Sequence, residues 1–168
     1  MPVRASTSSA EPTTIAPDGI AIHTFDLPGA AHVGVAEGRI PPGRYDIHCH
    51  LSLEQFTYVI SGSLTAITGD EEQSDGQAIV LDAGDLLLTL PGESLQFLNE
   101  FGEEARVLFI CAPPYPPDDS DTRMLSNHGT PVTSLASDAI HRLETVRRRF
   151  NHVVDERIAR IESAVHSP

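Results

Sequence analysis

From Ile20 to about Pro113 the apolar residues fall in short runs, set apart by Gly, Pro and Asp at strand-like spacing. The segments IAIHTFD (20–26), AAHVGVAEGRI (30–40), RYDIHCHL (44–51), QFTYVIS (55–61), SLTAITG (63–69), QAIVLDA (77–83), DLLLTL (85–90), SLQFLNE (94–100) and ARVLFICA (105–112) each read as a strand. Between them stand DLPG, PPG, SG, GDEEQSDG, AGD, PGE and FGEE, the punctuation of hairpin turns. Short strands with no helical period between them predict an all-β sandwich or closed barrel. PPYPPDDSDTR (113–123) is too rich in proline to continue a sheet and should leave it as an ordered loop, with DDSD (118–121) a solvated acidic stretch.

After Thr133 the period changes. Ile140, Leu143, Phe150, Val154, Ile158, Ile161 and Val165 recur at three- and four-residue steps, the mark of an amphipathic helix, or of two with a break near Asn151. Ser134 or Ser137 could cap its start. The expected order is a flexible lead-in (1–17), a β-barrel (18–118), a linker (119–133) and a helical extension (134–165). The extension either packs on its own barrel or faces a partner or the site as a lid. Arg147, Arg148 and Arg149 read as a solvated face.

Composition narrows the function classes. At 168 residues with 40% hydrophobic and 21% charged positions, the chain is one soluble globular domain by expectation. A formal net charge of −13 argues against nucleic acid and anionic membranes as partners, since phosphate binding needs clustered cations. All eleven basic residues are Arg, so Schiff-base and lysine-base chemistry are excluded. Two cysteines are too few for a disulfide framework, and the Ser/Thr/Pro/Ala-rich N-terminus lacks the apolar core of a secretory leader. With no run long enough to span a membrane, the reading is a cytoplasmic protein.

The candidate chemistry sits in HCHLSLEQFTYVISG (48–62). An H-x-H dyad alone arises by chance ~0.4 times in a chain with this many histidines, so spacing must decide. Side chains alternate along a strand, which puts His48 and His50 on one face and Cys49 on the other. On a straight strand Glu54 would lie ~20 Å from His48, so the chain should reverse at Leu51–Leu53 and bring Glu54 back beside the dyad. Continuing that parity makes Phe56, Tyr58 and Ile60 inward-facing, and Asp46 shares the parity of the histidines. Two imidazoles and a carboxylate with open positions suit Fe(II), Mn(II) or Zn(II).

The pattern G-x4-H-x-H-x3-E-x7-G, Gly43 to Gly62, resembles the first signature of the cupin superfamily, although that family usually has five residues before the first histidine. GDLLLTLPGESLQFLN, Gly84 to Asn99, resembles its second. The resemblance covers about residues 30–118 and implies a cupin-type antiparallel β-barrel, jelly-roll-like, carrying a C-terminal amphipathic helix. It also implies one divalent metal and commonly a homodimer; the two-histidine, one-carboxylate set slightly prefers Fe(II) to Zn(II) or Mn(II). The family's last histidine ligand falls at Leu95 here, so the expected ligands are His48, His50 and Glu54. The fourth position is left to water, substrate, Tyr58, His32 or, through a local bulge, Gln96.

The expectation is a metal-dependent enzyme for a moderately apolar small molecule. Tyr58 and Asp46 are its candidate proton-transfer groups, and Phe56, Ile60, Leu95, Phe97 and Asn99 its substrate contacts. The slight preference is a non-haem Fe(II) oxygenase of bacterial secondary metabolism. A redox-neutral zinc or manganese cyclase, isomerase or lyase, and a non-catalytic ligand-binding module, are the alternatives.

Overall fold

The computed structural model describes residues 3–7, 11–30, 32–70, 75–129 and 136–165. Each predicted strand segment yields one: β2 (Ala21–Thr24), β3 (Gly34–Ile40), β5 (His48–His50), β6 (Glu54–Ser61), β7 (Ser63–Gly69), β8 (Gln77–Asp82), β9 (Leu86–Thr89), β10 (Ser94–Asn99) and β11 (Ala105–Ala112). Three short strands join them: β1 (Thr14–Ile15), β4 (Gly43–Arg44) and β12 (Thr122–Met124). They are too short to leave a period in the sequence.

The strands form two antiparallel sheets. One runs β1-β2-β3-β11-β6-β9, the other β12-β5-β10-β7-β8, with β4 on the end of β10. Ile40, Val59, Leu64, Phe97, Val107 and Phe109 belong to the core cluster between them. Burying such side chains, at about 25 cal/mol per Å² of apolar surface, is what drives the sheets together. Tight turns fix the register. Gly62 joins β6 to β7 with φ at +77°, and a Cβ there would meet the Ala105 Cα at 2.9 Å, so only glycine serves.

β5 sits deep in its sheet, paired on one side with β10 and on the other with β12. The turn that follows is fully covered, with Leu51, Ser52 and Leu53 all buried. Its backbone is held by Asp121, whose carboxylate accepts from the Ser52 and Leu53 amides at 3.4 Å each and from the Ser52 hydroxyl. Asp121 is fully buried, which corrects the reading of DDSD as a solvated loop: its negative charge is answered by these donors and by Arg142, Nε to Oδ1 3.3 Å.

A single helix, α1 (Ala136–Val165), runs without the break considered near Asn151. Ser137 lies inside it; Ser134, the other capping candidate, lies outside the described residues. Near its start α1 is tied down by Arg142 on Asp121 and by Asp138 on Arg123 at 2.9 Å, and further along by Phe150 against the His32 ring. Ile158, Ile161 and Val165 are exposed. Among the described residues no helix is long and apolar enough to cross a membrane.

Candidate active site

Strand alternation places His48 and His50 on the barrel's inner face, as their spacing predicts, and both are buried. Their ring centroids are 5.1 Å apart, edge to face. Both line a cavity of about 560 Å³, within the usual range for a small-molecule site, together with Asp18, Gln55, Tyr115 and Thr122. The remaining wall is largely apolar, from Ile22, Phe25, Leu27, Phe97 and Phe109 among others.

Each imidazole has a buried carboxylate on its Nδ1 side. Asp18 Oδ2 lies 3.6 Å from His48 Nδ1, and Asp121 Oδ2 lies 3.9 Å from His50 Nδ1. Such placement favours the proton on Nδ1 and leaves the Nε2 lone pair for the cavity. The Tyr115 ring meets His50 edge-on at 5.7 Å, and its hydroxyl donates to Asp119 Oδ1 at 2.9 Å and lies 2.7 Å from Thr122 Oγ1. Burial, reinforced by the neighbouring His48, pushes the His50 pKa down to about 3, so this ring stays neutral. Burial raises the Asp18 carboxyl above its ordinary value, with His48 opposing. His50 Nε2 is buried and has no hydrogen-bond partner.

Glu54 does not join the histidines. β6 enters one residue out of the expected phase: Gln55, Thr57 and Val59 are buried inside, whereas Glu54, Tyr58 and Ile60 are exposed and Phe56 is half-buried on the opposite face. The compact turn at Leu51–Leu53 delivers Gln55, not Glu54, to the cavity. Both phases of the strand carry apolar residues because the outer face of this sheet is itself apolar. There Tyr58 pairs with Leu86 and Leu108, and Phe56 with Leu88 and Ile110.

The other expected groups divide similarly. Asp46 is exposed, because it falls between β4 and β5 where the ladder is interrupted and parity is not carried across. Phe97 lines the cavity; Leu95 lies in the core cluster. Asn99 closes the β10–β11 turn, its amide donating to the Ile40 and Glu103 carbonyls and its Oδ1 accepting from the Phe101 amide. Of the fourth-ligand candidates, Tyr58 is on the outer face, and His32 lines a separate cleft beside α1. Gln96 is bound to the Tyr45 carbonyl at 2.7 Å and to Arg44. Asp18, Gln55, Tyr115 and Asp121 were missed from sequence. Only Gln55 left a signal, in the alternation of Gln55, Thr57 and Val59 with the bulkier Phe56, Tyr58 and Ile60.

Among the described residues no group of three or more His, Cys, Asp and Glu is placed to hold a metal ion. The cavity wall also carries the Asp18 and Asp119 carboxylates, but Asp18 lies on the Nδ1 side of His48 and Asp119 accepts from the Tyr115 hydroxyl, so neither completes a metal-binding set with the two imidazoles and the Gln55 amide.

Two facing antiparallel sheets with paired histidines on an inner face define a double-stranded β-helix barrel. A model of the cupin domain matches residues 36–111, the stretch that runs from β3 to β11, so this barrel is a cupin-type domain. Among solved structures, Streptomyces PAC13 bound to uridine aligns at 16% identity over 76% of this chain and 94% of that one, with a TM-score of 0.58. Pac13 is described as a nucleoside dehydratase. A predicted oxalate decarboxylase from Thermotoga maritima aligns at 18% identity over 66% of this chain and 99% of that one, with a TM-score of 0.55. A cupin 2 conserved barrel domain protein from Salinispora arenicola gives 17%, 66%, 87% and 0.53 in the same order. At these identities the likeness is one of fold. No curated protein sequence matches the chain.

Proposed function

We propose that this cupin is an enzyme of redox-neutral acid–base chemistry, an elimination or isomerisation, on a small and partly apolar molecule held in the central cavity. The observation that carries this reading is the Asp18–His48 pair: both buried, both on the cavity wall and 3.6 Å apart. Asp18 holds the Nδ1 side, so Nε2 of His48 is the proton acceptor, and the carboxylate stabilises the imidazolium that forms. His50, kept neutral by its burial, serves as a hydrogen-bonding group rather than a second charge. The apolar wall excludes water and takes the body of the substrate. The dehydratase of the same fold belongs to the same broad class of chemistry.

One observation favours a second reading. His50 Nε2 is buried without a partner, and the carboxylates behind both rings are the usual support for metal-bound histidines. His48, His50 and the Gln55 carbonyl would hold a divalent ion, which when bound would polarise a substrate oxygen. The case for an Fe(II) oxygenase rested on a carboxylate at Glu54 and loses that support.

Metal analysis of protein purified without added metal, together with screening of small-molecule lyase and isomerase substrates before and after chelation, separates these readings. Turnover that survives EDTA and is lost in His48→Ala supports the acid–base enzyme. A full complement of metal, lost in His50→Ala along with activity, supports the second reading instead. Oxygen consumption coupled to turnover would overturn both.

A further inference from the structure

A cleft of about 400 Å³ opens between α1 and the rim of the barrel. One wall is a single helix face, Arg142, Thr145, Val146, Arg149 and Phe150, which are neighbours at steps of three and four. The opposite wall is the end of β11 running into Pro113 and Pro114, with His32, Val33 and Glu54. None of this belongs to the proton-moving machinery, although Val33 and Pro114 also line the central cavity.

Three polar groups in the cleft are left uncommitted by the rest of the described structure, two of them exposed charges. His32 Nε2 is buried and makes no hydrogen bond. Arg149 and Glu54 have no ion-pair partner among the described residues. Arg142, by contrast, is already committed to Asp121. An exposed cation and an exposed carboxylate without ion pairs among the described residues, and a buried imidazole nitrogen, thus border an apolar strip of Val33, Pro113, Val146 and Phe150, the last packed on His32 with ring centroids 4.6 Å apart.

We propose that this cleft is a second ligand site, for a small zwitterion with an apolar body, of the amino-acid class. The ligand's carboxylate is met by the Arg149 guanidinium, a planar fork suited to it, with His32 Nε2 as a further hydrogen-bonding group. Its ammonium is met by Glu54. Its side chain lies along Phe150, Val146 and Pro113. A simple anion would engage Arg149 alone and a simple amine Glu54 alone, so only the zwitterion gains both contacts.

The test is a titration of the full-length ¹⁵N-labelled protein with L-phenylalanine, with 3-phenylpropionate and 2-phenylethylamine as the single-charge controls. Saturable shifts of the Thr145, Val146 and Arg149 amides by L-phenylalanine are expected, with both controls binding about tenfold more weakly. The exposed substitutions Arg149→Gln and Glu54→Gln should each weaken L-phenylalanine by about the same factor without altering the fold. His48→Ala should leave this binding unchanged, which keeps the cleft separable from the reaction in the central cavity. Absence of saturable shifts, equal binding of either control, or binding indifferent to Arg149→Gln would overturn the proposal.

Discussion

Leu95 is the direct partner of His48 across the β10–β5 ladder, so the two side chains enter the barrel on one face. A buried leucine therefore stands beside the first imidazole at the position of the family's last metal ligand. Leu95→His would supply a third imidazole to the inner face. The variant is expected to bind Zn(II) or Ni(II) at least about tenfold more tightly than wild type, at a stability cost of about 1–3 kcal/mol for the buried polar ring. Metal competition titration and urea unfolding measure the two effects.

Asp18 offers the cleanest test of the proposed acid–base pair with His48. Asp18→Asn keeps the shape of the side chain but removes the charge that backs His48. A fall in kcat of about 10²–10³ with little change in KM is expected, since the loss falls on the transition state. Equal loss from kcat and from substrate binding would indicate a purely structural role.

Glu37 governs part of the acid stability. Its carboxyl is held at about 2, well below its ordinary 4.5, first by the hydrogen bond from Arg106, then by those from Thr7 and Arg39, with burial opposing. Because the folded value lies below the unfolded one, the stabilisation is complete above about pH 4.5 and is lost as pH falls towards 2. Arg106 is half exposed, so solvent screening limits the contribution to about 1 kcal/mol. Denaturant unfolding between pH 5 and pH 2 should show Glu37→Gln losing less stability than wild type by that amount.

The two thiols should be inert in the folded protein. Burial pushes Cys49 up to about 11 and Cys111 up to about 12, which leaves almost no thiolate at neutral pH. Iodoacetamide at pH 8 is expected to label neither until the chain is unfolded in guanidinium. Rapid native labelling, read by mass spectrometry, would contradict this placement.

Asp121→Ala should be among the most damaging single changes outside the hydrophobic core. It strips the Ser52 and Leu53 amides and the Arg142 guanidinium of a shared buried acceptor, for an expected loss of about 3 kcal/mol or more. A urea midpoint shift at constant m-value checks it.

Much of this architecture was legible because turns and strand periods are local. Gly and Pro punctuation marked the hairpins, and alternation placed His48 and His50 inside with Cys49 opposite. What failed was phase. In QFTYVIS either face is apolar, and the aromatic set lies outside because Leu86, Leu88, Leu108 and Ile110 continue the same outer surface. The carboxylates behind the histidines were illegible for another reason: Asp18 and Asp121 reach β5 from loops remote in sequence, and no periodicity encodes that approach.

The Asp121 junction also bears on the order in which the molecule is completed. Ser52 precedes its acceptor by 69 residues, and Arg142 follows that acceptor by 21 more. A growing chain could thus have emerged through β11 while the turn after His50 still lacked its anchor and the helix its tether. The strands can zip early, but the turn after His50 gains its anchor only once the chain has been made as far as Asp121, and the helix its tether only at Arg142.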